Sequence, residues 1–285
     1  MTVLKHSGLR GACAIAVCML ILADDAENTT RRALVEAGVM PALVVLLRNK
    51  KDHSLMERKH AVLAISVFAS SGIQFKEEML AAGAVEVLLP LLPTPLGPSP
   101  AGQPVGITRE EVPLLDFAAL AFFYLFSDDF KVAKVAAVRA GVVKPLVSIL
   151  SIDGIGIRIM ENCVRALGAL VAESSDGKSR GQEEEEFNAA KYSEAMESAG
   201  LVPHLIEYIG VTAEHLRTHS VMTLQLLAEA KTSILQTLKE SNETKSRLED
   251  IGANPKANDL EKCSAKTLLE LCTTCTPSTV DVTSK

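Results

Sequence analysis

Apolar positions in this chain fall into a motif that occurs four times: a short amphipathic run ends on a glycine, and a run apolar on nearly every side follows. The first copy is Glu36-Ala37-Gly38-Val39-Met40-Pro41-Ala42-Leu43-Val44-Val45-Leu46-Leu47, and the others occupy 81–92, 139–150 and 198–209, around Gly83, Gly141 and Gly200. A helix can close on a glycine because that residue enters the left-handed conformation without the steric cost a Cβ brings. Pro41, Pro145 and Pro203 then stand where a second helix opens and a missing N–H costs nothing, whereas the second copy has no proline at that point. The second helix, apolar around its circumference, is predicted to lie between neighbours. A third, longer helix follows each time: His60 to Ser70, Phe117 to Phe126, Asn162 to Glu173 and His219 to Ala230, built mostly from Ala, Leu, Val and Phe. With its glycines 45, 58 and 59 residues apart, the chain reads as a repeat array in which each unit buries its surface against the next.

Three helices in a unit of about 40–47 residues, joined by this Gly-then-Pro turn, resemble the armadillo repeat family. The resemblance covers roughly residues 11–230. It implies an all-α fold, a right-handed α-solenoid of about four clear three-helix repeats with degenerate N- and C-terminal caps. The expected domain spans 1–272, followed by a Ser/Thr-rich tail at 273–285 expected to be disordered.

Two stretches interrupt the pattern. Residues 93–113 carry Pro93, Pro95, Pro98, Pro100, Pro104 and Pro113 with three glycines, which cannot continue a helix and read as a loop between a second and a third helix. Residues 174–186 end in Glu183, Glu184, Glu185 and Glu186, a hydrated acidic loop. Its simple role is solubility, and its sharper one is docking a basic partner. Beyond Ala230 the register weakens: Thr232 to Ile251 and Asp259 to Cys272 read as helices, with a break at Gly252 to Pro255. At the other end, Lys5, His6 and Arg10 precede the apolar run 11–23, the outline of a signal peptide over residues 1–23. The third helix of an N-terminal repeat is the preferred reading, since this run ends about as far before Gly38 as later third helices end before Gly83 and Gly141. Ile21 also makes a poor cleavage region, and the run is too short to span a bilayer.

Composition narrows the function. The net charge of −6 argues against a nucleic-acid binder, which would show a basic stripe. Most of the six cysteines lie in apolar helical runs, where they act as small hydrophobes, so a reduced cytoplasmic protein is expected, with the nucleus as a second location. No phosphate-binding Gly-rich loop is present, and Gly154-Ile155-Gly156 reads as a turn. His215 and His219 are one helical turn apart but have no further ligands at motif spacing, and Cys272-Thr273-Thr274-Cys275 lacks a second pair. No nucleophile set is visible, so neither an enzyme nor a metal or other cofactor is expected.

The armadillo resemblance instead implies a protein partner, held as an extended peptide or a partner domain on the concave surface lined by third helices. In the family's nuclear-import adaptors that groove is a ladder of Trp and Asn. Here the Trp position falls on Leu63, Leu120, Arg165 and Met222, and the Asn position on Val67, Tyr124, Ala169 and Leu226. The adaptors' clamp on backbone and lysine stems is therefore missing. One turn earlier stand Lys59, Asp116, Glu161 and Thr218. The expected groove has an apolar centre, a Tyr with a large apolar face and polar tip, a mixed-charge edge, and Arg165 able to pair with a partner's acid. The implied function is a non-enzymatic scaffold or adaptor. The alternative is a regulator or co-chaperone-like module that clasps a folded chaperone or small GTPase and also needs the loops at 93–113 and 174–186.

Overall fold

Gly38, Gly83, Gly141 and Gly200 take φ values of +78°, +86°, +86° and +86°, the left-handed conformation that each repeated turn requires. The computed structural model describes residues 13, 14, 16, 17, 19 and 20, 29–48, 51–93, 108–172 and 187–274, and all regular structure among them is helical. The helices come in triplets. The first is α1 (Thr29–Glu36), α2 (Val39–Arg48) and α3 (Leu55–Ala69), and the second is α4 (Ile73–Ala81), α5 (Ala84–Leu88) and α6 (Val112–Phe126). Next come α7 (Lys131–Arg139), α8 (Val143–Leu150) and α9 (Ile157–Val171), then α10 (Ala189–Ser198), α11 (Leu201–Ile209) and α12 (Glu214–Ala230). The last described triplet is α13 (Thr232–Glu240), α14 (Asn242–Ala253) and α15 (Asp259–Thr274).

The third helices α3, α6, α9, α12 and α15 stack on one another in order and form one continuous layer, while the first and second helices form the other. Small side chains permit the stacking: Ala61, Ala118, Cys163, Ser220 and Ala265 occupy one register row and are all 0% exposed. The helices approach closely at Gly168 of α9, where a Cβ would lie 2.5 Å from Oγ1 of Thr223 on α12. Thr223 is itself buried and cannot step aside freely. Gly168→Ala is therefore expected to destabilise by about 1–3 kcal/mol despite the better helix propensity of alanine. Urea titration measures it, and adding Thr223→Ala is expected to recover most of the loss.

The sequence pattern placed the elements well but misjudged several ends. The third helices begin at Leu55, Val112, Ile157 and Glu214, ahead of the apolar runs that start at His60, Phe117, Asn162 and His219. Ser54 opens α3 with a capping box, its Oγ accepting from the Glu57 N–H at 3.2 Å while Glu57 Oε2 accepts from the Ser54 N–H at 2.7 Å. Pro113 lies inside the first turn of α6 rather than in a loop. In the copy without a leading proline, α5 stops at Leu88 and Pro90 sits in a 3-10 turn, Leu89–Leu91. Residues 232–251 are two helices, not one, because Ser241 caps α14 by accepting from the Thr244 N–H. Gly252 lies inside α14, and α15 runs two residues past Cys272. Thr29 and Thr30 fall in the first turn of α1.

At the N-terminal end, the described residues between 13 and 20 are helical and Ala14 is 2% exposed within the core, as the third helix of an earlier repeat would be. Residues 1–12, the Glu-rich stretch 174–186, residues 94–107 of the Pro-rich stretch and the tail from 275 lie outside the described residues. Among the described residues, no helix is long and apolar enough to cross a membrane.

Two lysines that no repeat pattern announced tie adjacent units together. Lys76 of α4, 0% exposed, donates to the Ser127 carbonyl and hydroxyl, each at 2.9 Å, and to Asp128 at 2.7 Å, just past the end of α6. Lys134 of α7 donates to the Ala172 carbonyl past the end of α9 at 2.6 Å. Each ammonium satisfies carbonyls that a helix C-terminus leaves open. They also hold a tight corner, since Asp128 and Asp129 have φ of +57° and +52°.

Candidate partner-binding groove

One face of the third-helix layer packs on the first and second helices. Among the described residues no helix covers the other face. Lys59, Leu63 and Val67 on α3, Leu120 and Tyr124 on α6, Glu161, Arg165 and Ala169 on α9, and Met222 and Leu226 on α12 are all partly exposed there. Asp116 and Thr218, expected at the edge, are 3% and 6% exposed and belong to the packing instead. The reason is polar pairing. Asp116 accepts from Asn162 Nδ2 at 2.8 Å and is ion-paired to Arg158. Thr218 lies between Asn258, which donates to it at 3.0 Å, and the carboxylate of Glu261 at 3.4 Å.

The middle of the groove is built around Arg165. Its guanidinium lies over the Phe123 ring at 3.9 Å from the centroid, while Nη1 donates to Asn162 Oδ1 at 3.3 Å. Its Nε is buried and has no hydrogen-bond partner. Phe123 packs in turn against Tyr124, with ring centroids 5.1 Å apart. Asn162 thus links two groups of opposite charge, the buried Asp116 below and Arg165 above. Sequence reading identified Arg165 and Tyr124 but missed Phe123, Asn162 and Arg158. Their register positions, one residue before Tyr124, three before Arg165 and seven before Arg165, were the available signal.

His215 and His219 lie on α12 beside this centre. Burial first, then the Arg165 and His215 charges, pull the His219 imidazole from its ordinary 6.5 down to about 4. Between those values the unfolded chain binds a proton that the folded chain refuses, so stability is lost as pH falls through that window. Thermal melts between pH 7 and pH 4 are expected to show a smaller acid loss in His219→Gln than in wild type. Cys163 behind the groove is fully buried, and burial pushes its thiol well up, which suits packing rather than reactivity. Among the described residues no three His, Cys, Asp or Glu side chains cluster in a way that could hold a metal ion.

No protein-family model matches the chain, and neither does a curated protein. Solved structures do. A designed armadillo repeat protein, YIII(Dq)4CqI, superimposes with a TM-score of 0.70 at 20% identity, over 92% of each chain. A designed armadillo repeat protein in complex with the peptide (KR)4 gives 0.66 at 20% identity, over 92% of each chain. The armadillo repeats only protein (ARO) of Plasmodium falciparum gives 0.58 at 13% identity, over 88% of this chain and 99% of that one. At these identities the likeness speaks for architecture alone, and it agrees with the stacked triplets and their left-handed glycine turns: the chain folds as an all-α solenoid of the armadillo type.

Proposed function

We propose that this protein is a non-enzymatic scaffold or adaptor that holds an extended segment of a protein partner along the exposed face of its third helices. The observation that carries this reading is the uncovered row Leu63, Leu120, Tyr124, Arg165 and Met222, which mixes apolar, aromatic and cationic groups on the stacked third helices. A designed protein of the same fold was solved with a peptide bound, so the architecture accommodates such a ligand. The test is affinity purification with mass spectrometry, comparing wild type with Tyr124→Ala/Arg165→Glu after circular dichroism has shown the variant to be folded. Partners lost by the folded variant support the groove. Partners retained by it contradict the groove and point to the stretches 93–113 and 174–186, as clasping a folded domain would.

A further inference from the structure

We propose that the middle of the groove selects carboxylate side chains, so that the partner segment is acidic. This rests on the reading of the third-helix face as a binding surface and specifies what that surface prefers. Arg165 is held by ring stacking and one neutral hydrogen bond, and no carboxylate among the described residues pairs with it. The nearest buried acid is already engaged, since Asn162 and Arg158 bind Asp116. A guanidinium fixed on a ring, with Nη1 engaged only by a neutral acceptor, has donor capacity left for a planar carboxylate. His219 on the adjoining helix feels the Arg165 charge, so a carboxylate that neutralises Arg165 would also favour the protonated, anion-binding form of that imidazole. Glu161 of α9 and Glu214 and Glu229 of α12 are the remaining acids on these helices; Glu214 accepts from Asn258 at 3.4 Å and Glu229 from Gln225 at 2.8 Å.

The charge balance makes this preference distinctive. The whole chain carries −6, so its general field favours a basic ligand. Preference for an acidic one has to arise from local cations on this face, of which Arg165 is the central one. It would also reverse the choice of the designed protein solved with (KR)4.

The test uses two synthetic octapeptides, (Asp-Glu)4 and (Lys-Arg)4, titrated into the full chain at low ionic strength, where charge pairing is least screened. Histidine ring resonances are followed by NMR, with His215 and His219 assigned through His215→Gln and His219→Gln. The same titration is run on the chain carrying Glu183→Ser, Glu184→Ser, Glu185→Ser and Glu186→Ser, so that its own acids cannot compete. (Asp-Glu)4 is expected to move both resonances and raise the pH at which His219 titrates, while (Lys-Arg)4 does neither. Arg165→Glu is expected to weaken the acidic peptide by about ten-fold or more, and Arg165→Gln by less. If (Lys-Arg)4 is the peptide that moves these resonances, the acidic preference is overturned while the groove stands. If neither moves them in either chain, the acidic preference is overturned, and the purification with the groove variant decides the broader reading by itself.

Discussion

Arg217→Met is expected to cost about 3–5 kcal/mol, because it leaves a fully buried carboxylate without its counter-charge. Glu261 of α15 is 0% exposed and is paired to Arg217 of α12, which is 14% exposed. Arg217 also donates to the Val211 carbonyl at 3.1 Å, and Asn258 closes the network by accepting from the Glu261 N–H at 2.8 Å. The corresponding positions on the inner third helices are Leu114, Ile159 and Leu216, all buried apolar residues. At this register position the last described repeat therefore has an ion pair where the three inner third helices have buried apolar residues. Since a repeat contacts only its neighbours, the loss should fall on residues 232–274 first. Hydrogen exchange is expected to show α13 to α15 opening before the rest. Arg217→Met with Glu261→Leu is expected to regain most of the stability, because a well-packed apolar pair can replace a buried ionic one.

Asn162→Leu is expected to cost about 2–3 kcal/mol and to weaken partner binding at the same time. The leucine removes the donor 2.8 Å from a buried Asp116 oxygen, leaving that carboxylate with the exposed Arg158 alone. It also removes the acceptor that fixes Arg165 over Phe123. A urea midpoint measures the first effect and the acidic-peptide titration the second. Arg158→Ala should behave differently, since Arg158 is 74% exposed and water can replace much of its contribution.

The fold was legible because its turn chemistry is local. Gly38, Gly83, Gly141 and Gly200 announce the left-handed corner from single residues, and the apolar runs after them announce the helices. The last triplet was less legible because Ser241 replaces that glycine as the break, using a side-chain cap that a serine does not advertise. The rows of the candidate face were legible as register: Leu63, Leu120, Arg165 and Met222 occupy equivalent places in their helices, and all four are partly exposed. What no register can show is contact between rows. Asp116 reads as a surface acid until Asn162 and Arg158 on the next helix bury it. Arg165 reads as a free cation until Phe123, from the preceding helix, supplies the ring beneath it. Lys76 and Lys134, polar residues at core positions, depend likewise on carbonyls some 51 and 38 residues away.

The most direct measurement is photo-crosslinking from a benzoylphenylalanine placed either at Tyr124, in the groove, or at Glu78, exposed on first helix α4 in the opposite layer. If the third-helix face is the working surface, position 124 captures a partner, Arg165→Glu in the same chain suppresses that adduct, and position 78 captures none. Equal capture from position 78, or an adduct at 124 that Arg165→Glu leaves unchanged, would contradict a groove centred on Arg165.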